Sequence, residues 1–446
     1  MLTNLIDDNI SLWASYTPDY RPLPALNTNI TADLAIVGGG FTGISTAYHF
    51  KRRYPEKHVV LLEAKTLANG ASGRNGGQML NWIYGAPQDD ETLLQIYWVT
   101  SAAIDEIEKI IREHNLNVSY RRDGIWHALT SARNAEEAHR DVERLQKMGI
   151  PVEFFSQADL ARRLHVQGAL GASFDPTEGQ MNGAQFVRAM RPVLVSLGVE
   201  VYEQTPVLSV REGRVIILAT PQAEVRADAI VLATNAYTPQ LGYFRSTIFP
   251  AHSHVFATAP HSPRQFVEMG WLQGAAFDND HIRLSYTTRT NEGHIIFGGS
   301  AAGYAYLFNN QTSFPGSPDS VNANFSEMRR TLADLLPATI ESKISHRWTG
   351  PVALNLSGVS GMFGVRSEYR NVFYALGYNG HGVTLSNLAG RVLTDMYSGD
   401  DHAWRKLPFY QPHTYLVPPE PFRWLGAQAY LKWLAPKRQL HTVTGN

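Results

Sequence analysis

Short apolar runs, each followed by glycine or turn residues, mark the first part of the chain. Residues 34–37, 59–63 and 229–233 are apolar at nearly every position, which is typical of parallel strands covered on both faces. Between the first two runs, residues 41–54 have the length of a helix. The pattern therefore predicts a strand, a helix and a second strand, which is a βαβ unit.

The middle of the chain has a different pattern. Residues 282–287 and 294–298 are strand-like and are separated by a polar loop, which indicates an antiparallel hairpin. Residues 133–148 are charged and have helical character, and the turn-rich stretch 309–324 is predicted to be a surface loop. These features favour a second domain built on an antiparallel sheet with flanking helices.

The last periodic element covers residues 383–396, where apolar side chains repeat at helical spacing. It directly follows the sequence Asn-Gly-His-Gly. With 446 residues, the chain exceeds the length at which a single core usually stops growing, so two domains are expected.

Composition excludes several classes of function. Lysine and arginine together number 39 against 40 acidic residues, so no field of one sign is available to bind a nucleic-acid backbone. The absence of cysteine excludes disulfides, thiolate metal sites and cysteine nucleophiles; no metal site is predicted. The N-terminus lacks signal-peptide features, and no apolar stretch is long enough to span a bilayer. A soluble, cytoplasmic protein is therefore expected.

The strongest motif is Asp33-Leu-Ala-Ile-Val-Gly38-Gly-Gly40-Phe-Thr-Gly43 at the predicted strand-to-helix turn. Gly38 allows the tight turn, Gly40 allows close approach of a diphosphate, and Gly43 lets the helix pack on the sheet. The helix N-terminus offers N–H groups to the diphosphate. Glu63 closes the next strand, where its carboxylate can accept hydrogen bonds from ribose hydroxyls. These features predict a dinucleotide site.

This motif alone does not separate NAD from FAD. The segment Ala71-Ser-Gly-Arg-Asn-Gly-Gly-Gln78 follows the second strand and combines three glycines with serine, arginine and asparagine. Such a loop can bind a second length of diphosphate and a ribityl chain, which only FAD has. FAD is therefore the predicted cofactor.

Together with Gly377-Tyr-Asn-Gly-His-Gly-Val-Thr384, these motifs resemble those of the D-amino-acid-oxidase-like flavoenzymes, and among them those of the bacterial gamma-glutamylputrescine oxidases. The resemblance runs from about residue 33 to residue 399. It implies an α/β (α+β overall) protein: a Rossmann-type FAD-binding domain with a parallel sheet (1–85, 160–237 and 345–400), a substrate domain with an antiparallel sheet (86–159 and 238–344), and a tail (401–446) packed on the body.

By position, the resemblance also implies which residues contact FAD. Most belong to the motifs above, Val207 matches a residue whose backbone meets the adenine, and Asn235 stands where glycine is frequent in relatives. The implied contacts are Gly38, Gly40, Phe41, Thr42, Gly43, Glu63, Ala64, Ser72, Gly73, Arg74, Asn75, Gly76, Gly77, Gln78, Val207, Ala233, Thr234, Asn235, Gly380, His381, Gly382, Val383 and Thr384.

The loop at residues 380–384 matches the one that runs beside the flavin ring in relatives. A helix beginning near Val383 would direct N–H groups at the negative charge of a reduced flavin and so raise its oxidising power. His381 has two open interpretations: it donates to the flavin or shapes the substrate cavity, or it is a structural residue that caps the loop.

Departures from relatives refine the expected chemistry. The segment in which sarcosine oxidases attach their flavin through cysteine has no cysteine here, and Arg74 and Asn75 replace a histidine that could attach it. FAD is therefore expected to be noncovalent. Arg283 lies where relatives place an oxygen-activating lysine. The candidate catalytic residues are His381, Arg283 and Tyr286, and Arg289 is a further candidate for the substrate pocket.

The favoured function is oxidation of an amine or amino acid by hydride transfer to FAD, hydrolysis of the imine, and reoxidation by oxygen to give hydrogen peroxide. One alternative is a dehydrogenase that passes electrons to a quinone, with the apolar tail around residues 424–433 on a membrane surface. Another is a flavin-binding protein without catalytic activity. A small-molecule amine is the expected partner in the favoured case, and membrane contact is possible without being favoured.

Overall fold

The structure, a computed structural model, describes residues 7–82, 89–280, 285–304, 314 and 316–429. Within these ranges it has twenty strands and ten α-helices. The strands are β1 (Asp7–Asp8), β2 (Ile30–Val37), β3 (Val59–Leu62), β4 (Gln78–Met79), β5 (Tyr120–Arg121), β6 (Ile125–Leu129), β7 (Glu153–Ser156), β8 (Gly171–Asp175), β9 (Gly179–Met181), β10 (Val199–Tyr202), β11 (Ser209–Arg211), β12 (Ile216–Ala219), β13 (Glu224–Leu232), β14 (Ile248–Thr258), β15 (Ala276–Asn279), β16 (Ser285–Arg289), β17 (Ile295–Tyr304), β18 (Ile344–Asn355), β19 (Met362–Arg366) and β20 (Val372–Leu376). The helices are α1 (Leu12–Ser15), α2 (Phe41–Arg53), α3 (Asp90–Glu113), α4 (Ala132–Lys147), α5 (Gln157–Leu160), α6 (Gly183–Ser196), α7 (Pro263–Glu268), α8 (Pro318–Leu335), α9 (Gly382–Ser398) and α10 (Phe422–Ala429).

The first sheet is parallel at its centre. Strands β10, β3, β2 and β13 lie side by side in that order, and β20 also pairs parallel to β13. Val37 of β2 is in register with Leu62 of β3 and Leu232 of β13, so the carboxyl ends of these strands form one edge. The predicted βαβ unit is confirmed, because β2, α2 and β3 follow each other with the expected connections.

Helices α2 and α9 pack against each other in parallel. The hydroxyls of Thr42 and Tyr378 lie 2.7 Å apart near the start of both helices, and Arg53 at the end of α2 binds Asp395 near the end of α9 at 2.8 Å. Between these points the helices approach so closely that a Cβ on Gly390 would lie 2.3 Å from the carbonyl carbon of Ser45. Both helices therefore begin at the same end of the layer.

The second sheet is mainly antiparallel, in the order β1-β18-β14-β17-β16-β15-β6-β8-β7. It contains the predicted hairpin, because β16 and β17 pair antiparallel, and the predicted helix in residues 133–148 appears as α4. A third, three-stranded sheet has the order β4-β9-β5.

The predicted loop 309–324 is wrong in its second half. Helix α8 begins at Pro318, because the Oγ of Ser317 accepts a hydrogen bond from the N–H of Ser320 at 3.3 Å, and proline is well suited to the first helical turn. Residues 309–313 lie outside the described residues.

The sheets draw on segments that alternate along the chain. Strand β8 and most of β18 lie in ranges predicted for the FAD-binding domain, yet both strands belong to the antiparallel sheet. The domain boundaries themselves stay a prediction. In the tail, Trp404 and Phe409 are buried, and the N–H of Phe363 donates to the carbonyl of Phe409 at 2.9 Å. Among the helices that the structure describes, none is long and apolar enough to cross a membrane.

The contact between α2 and α9 predicts a steric effect. Gly390→Ala should lower the free energy of unfolding by ~1–3 kcal/mol, because the new methyl group meets backbone and the helices must separate. Gly426→Ala is the matched control: it lies in α10 with no atom within 4 Å of the added Cβ and should stabilise by up to about 1 kcal/mol. Urea unfolding measures both, and equal stability of the two variants would contradict the predicted contact.

Candidate functional site

The carboxyl edge of the parallel sheet brings together the residues that follow its strands. Gly38 follows β2 with a φ of 113°, and a Cβ there would lie 2.6 Å from the carbonyl oxygen of Ala233 after β13. A Cβ on Gly43 would lie 1.9 Å from the carbonyl oxygen of Gly38. The first turn of α2 thus packs directly on the strand-to-helix turn, as the motif requires.

Glu63 follows β3 and faces this turn. Its Oε2 accepts the N–H of Gly39 at 2.8 Å, and its Oε1 accepts the N–H of Lys65 at 2.9 Å. Burial raises the pKa of Glu63, and the hydrogen bonds from Lys65 and Gly39 oppose that rise. The carboxylate is therefore fixed beside the glycine turn, where a ribose is predicted, and Ala64 comes directly after it.

The segment 71–78 is fastened to the start of α2. The Oγ of Ser72 accepts the N–H of Phe41 at 2.9 Å. Asn75 closes the segment on itself, because its Oδ1 accepts the N–H of Gly77 at 2.8 Å and its Nδ2 donates to the carbonyl of Ala71 at 3.1 Å. Gly73 ends the 3₁₀ turn, and Gln78 begins β4. The two predicted phosphate-binding segments thus form one continuous surface.

Arg74 has a structural contact that the sequence did not indicate. Its guanidinium donates to the carbonyls of Asn69 at 3.0 Å, Thr349 at 3.0 Å and Asn9 at 3.3 Å. Burial lowers its pKa. Arg74 is among the residues predicted to contact FAD; in the structure its side chain joins the segment 71–78 to β18 and the N-terminal segment.

The turn after β13 and the loop after β20 are joined by one side chain. The Oδ1 of Asn235 accepts the N–H of Gly377 at 3.0 Å, and Asn235 has a φ of 41°. Asparagine tolerates this left-handed conformation better than most residues, which explains how it replaces glycine. Thr234 is fixed by a hydrogen bond between its hydroxyl and that of Thr238 at 2.8 Å.

His381 occupies the position just before α9. Its Nδ1 lies 3.1 Å from the carbonyl oxygen of Asn379, which identifies Nδ1 as the protonated nitrogen because a carbonyl only accepts. Burial lowers the pKa of His381, against the effect of this hydrogen bond, so the ring is neutral at pH 7. His381 therefore braces its loop, and it approaches any ligand as an uncharged group. Gly380 precedes it with a φ of 87°.

These residues fit an FAD molecule. The first turns of α2 and α9 lie side by side, so two helix N-termini contribute partial positive charge to the same region. The Oγ1 of Thr384 and the Nε2 of Gln78 are buried without a hydrogen-bond partner among the described residues, and both belong to segments predicted to contact FAD. Gly40 begins α2, and Gly382 and Val383 form the first turn of α9. Val207 lies just before β11, half-buried against the core of the parallel sheet.

The candidate catalytic residues have different positions. The ring of Tyr286 lies against Gly76 of the segment 71–78 and against Gly298 of β17, where an added Cβ would come within 2.3 Å of ring carbons. Burial raises the pKa of Tyr286 to about 12, so its phenol is neutral. Arg283 lies outside the described residues.

Arg289, the further candidate for the substrate pocket, makes contacts within the second core. Its guanidinium is stacked on the ring of Phe266, 3.9 Å from the ring centre, and it donates to the carbonyl of Trp271 at 3.1 Å. This side chain is therefore occupied by the second hydrophobic core, which includes Phe266 and Trp271.

A buried polar cluster near the loops predicted to contact the flavin was not predicted from the sequence. The Nδ1 of His127 in β6 lies 2.8 Å from Asp278 in β15, and its Nε2 lies 3.5 Å from Glu178. Asn81 donates its N–H to the other oxygen of Glu178 at 2.8 Å, and Gln180 is fully buried nearby in β9. The only signal was the polar run Asp-Pro-Thr-Glu-Gly-Gln between a strand and a helix, which also fits an ordinary turn.

Comparison with known proteins agrees with this geometry. The family model described as DAO, FAD dependent oxidoreductase, matches residues 33–396. The chain is 27% identical to the gamma-glutamylputrescine oxidoreductase of Escherichia coli, over 94% of this chain and 97% of that protein. It is 26% identical to OrdL of Haemophilus influenzae, described as a probable oxidoreductase, over 85% of each chain. The crystal structure of glycine oxidase from Geobacillus kaustophilus superposes with a TM-score of 0.72 at 19% identity, covering 86% of this chain and 99% of that one.

The contacts of Glu63 predict its contribution to cofactor binding. Glu63→Ala should weaken FAD binding by about 1.5–3 kcal/mol, because a charge-assisted bond to ribose is lost. Titration of the apoprotein with FAD, followed by quenching of flavin fluorescence, should show a Kd roughly ten- to a hundredfold higher. The control is Glu200→Ala in the adjacent strand β10, an exposed glutamate that binds His58 and should leave the Kd unchanged. An unchanged Kd for Glu63→Ala would remove Glu63 from the site.

Proposed function

This chain belongs to the DAO family of FAD-dependent oxidoreductases, and on that premise we propose that it oxidises a small amine similar to gamma-glutamylputrescine, with oxygen as the electron acceptor. The family acts on amines or amino acids. The observation that carries the proposal is the convergence of the N-termini of the two parallel helices α2 and α9 on the predicted flavin site, beside a cluster of buried polar groups.

When bound, FAD supplies the acceptor for the hydride that leaves the carbon next to the substrate nitrogen. The protein's own residues bind and orient. Glu63 and Ser72 fix the two nucleotide-binding segments, and the first turn of α9 directs N–H groups toward the predicted flavin ring, where they favour negative charge. Tyr286, packed on Gly76, closes one wall and excludes water.

Three side chains are proposed to shape the reaction. His381 is neutral and lies at the start of α9, so it can adjoin both the flavin and the substrate without adding charge. Tyr286 provides a neutral hydroxyl. Arg283 is proposed either to bind an acidic group of the substrate or to serve the reaction with oxygen, since a guanidinium suits bidentate carboxylate binding.

A second candidate function is that of a dehydrogenase that delivers electrons to a quinone at a membrane. The observation that favours it is the surface of α10 and the segment before it, where Leu416 is 75% exposed, Phe422 65% and Leu425 52%. Large apolar side chains grouped in this way can contact lipid. A cytoplasmic location stays a prediction in either case.

Oxidation by this chain is tested by mixing the holoprotein anaerobically with gamma-glutamylputrescine, putrescine, sarcosine, glycine and proline. At least one amine should bleach the flavin absorbance, and gamma-glutamylputrescine should do so fastest. Admission of oxygen should then restore the colour and release one hydrogen peroxide per amine consumed. If the bleached flavin is reoxidised slowly by oxygen and fast by a soluble quinone, the protein is a dehydrogenase and not an oxidase. No bleaching with any amine would contradict both.

Attachment of the cofactor is tested separately. The chain has no cysteine, and the position where a histidine could attach the flavin is occupied by Arg74, whose guanidinium is bound to backbone carbonyls. Acid precipitation should therefore leave all yellow colour, as intact FAD, in the supernatant. Flavin that sediments with the denatured chain would show a covalent bond.

A further inference from the structure

Apart from Gln78, which also belongs to the segment predicted to contact FAD, the buried polar cluster has no part in the mechanism described so far. It consists of Glu178, His127 and Asp278 together with the carboxamides of Gln78 and Gln180. Glu178 and Gln180 are both 0% exposed. Placing so many polar groups in the interior is unfavourable unless they are paired or bind a ligand.

The geometry of two sheets brings the cluster together. Gln78 of β4 is directly opposite Gln180 of β9 in an antiparallel pair, so their side chains are on the same face. Glu178 lies in the turn directly before β9, two residues from Gln180. Its carboxylate meets His127 at 3.5 Å, and His127 meets Asp278 at 2.8 Å.

Several atoms of the cluster have unused hydrogen-bonding capacity. Over the described part of the chain, the Nε2 of Gln78 and both polar atoms of the Gln180 side chain make no hydrogen bond. The Oε2 of Glu178 and the Nε2 of His127 face each other as an ion pair at 3.5 Å and make no further hydrogen bond among the described residues. A buried polar group left in this state is unfavourable. The unused set contains a carboxylate oxygen and an amide oxygen as acceptors and amide N–H groups as donors. It therefore complements an amine, which donates N–H bonds and carries a lone pair.

The cluster also adjoins the predicted flavin. Gln78 is the last residue of the segment 71–78, and the charges of Asp278 and His127 act on the pKa of His381 at the start of α9. A nitrogen bound here would lie between the two loops predicted to contact the cofactor. Two carboxylates, those of Glu178 and Asp278, outnumber the single imidazolium of His127, so the cluster disfavours a substrate carboxylate in the same place.

We infer that this cluster receives the substrate amine, and that Glu178 accepts the proton that an alkylammonium ion must lose before the neighbouring C–H bond can be broken. In this step an N–H bond of the ammonium breaks and an O–H bond forms on the Oε2 of Glu178. The products are a neutral amine and a neutral carboxylic acid, and no electrons are transferred. The inference rests on the proposed amine oxidation and names the group that prepares the amine for it.

The surroundings of Glu178 suit a proton acceptor that works near neutral pH. It is faced by His127 from β6, by Asp175 from β8 and by Tyr97 from α3, with Asp278 of β15 behind His127. Burial raises the pKa of Glu178 to about 7, its pairing with His127 opposes that rise, and the charge of Asp175 adds to it. Burial alone would lower the pKa of His127, but Asp278 and Glu178 raise it well above its usual value, so His127 remains a cation. Glu178 is thus the member of the cluster that gains its basic form as the pH rises through about 7.

The deciding variant is Glu178→Gln, which keeps an oxygen for the N–H of Asn81 but removes the proton acceptor. The rate of anaerobic flavin reduction by gamma-glutamylputrescine, or by the amine that bleaches fastest, is measured from pH 6 to pH 10. In the unmodified protein, the second-order rate constant should rise through about pH 7 and then level off. In the variant it should be at least about a hundredfold lower at pH 7.

The shape of the variant's pH profile is a sharper expectation than its rate. Without an acceptor, only substrate that is already neutral in solution can react. Its rate constant should therefore rise tenfold per pH unit up to a pH of about 10, the range in which alkylamines of lysine type lose their proton. At that pH the rate constants of the variant and the unmodified protein should become equal. A loss of packing would lower the rate at every pH and would not produce this slope.

A matched control is Glu420→Gln, which removes another buried carboxylate paired with a cation, Arg423 at 3.2 Å, and should leave the profile unchanged. If Glu178→Gln does not retain FAD, His127→Gln decides instead. Loss of the positively charged partner that lowers the pKa of Glu178 should move the rise in rate near pH 7 upward by at least one pH unit. If that rise does not move, the inference is overturned.

The inference would also be overturned if the flavin of Glu178→Gln is reduced within twofold of the rate of the unmodified protein and the rise in rate near pH 7 is retained. Amine oxidation itself would then stand. Failure of every amine to bleach the flavin of the unmodified protein would remove the proposed function itself. The two failures are therefore distinguishable.

Discussion

The site depends on the parallel register of β3, β2, β13 and β20. Because β3, β2 and β13 end level with one another, Glu63, Gly38 and Ala233 meet at one edge. Strand β20 continues two residues beyond the end of β13 and brings Gly377 to the same edge. The register requires the first turn of α2 to sit directly on the strand ends, which is possible only without a side chain at Gly38 and Gly43. A shift of one residue would separate the glycine turn from the carboxylate that faces it and turn every strand side chain to the other face.

Local patterns predicted this part of the protein well. The βαβ unit, the glycine motif, the acidic residue after β3 and the helix after residue 381 each depend on residues that are close in sequence, and each has a distinct physical signature. Asn235 shows how far such reasoning reaches: the turn was recognised in spite of its asparagine. The reason asparagine fits, its bond to Gly377, joins residues 142 positions apart and could not be predicted.

The substrate side could not be predicted in the same way, because it is assembled from distant segments. Glu178, His127 and Asp278 come from three separate stretches of the chain, and each looks like an ordinary surface residue when it is considered alone. The same limit applies to arginines. Arg74 and Arg289 were candidates for binding a ligand, and the structure shows both bound to backbone carbonyls, which no spacing rule indicates. Charge alone does not specify a partner.

Comparison of two buried glutamates separates structural from functional burial. Glu203 is as inaccessible as Glu178, but its carboxylate accepts the hydroxyl of Tyr20 and the N–H groups of Leu23 and Leu67, and it pairs with Arg191. Both of its oxygens are used within the fold, so it acts as a fixed connector. The Oε2 of Glu178 has only the ion pair with His127 at 3.5 Å, and the carboxamide of Gln180, two residues further on, has no hydrogen-bond partner in the described residues. Buried ion pairs seldom add stability even when they are well formed, and an incompletely satisfied one is less favourable still.

A fold that was selected only for stability would replace Glu178, His127 and Gln180 with apolar residues. Their presence together, beside the loops predicted to hold the cofactor, is best explained by a ligand that completes their hydrogen bonds.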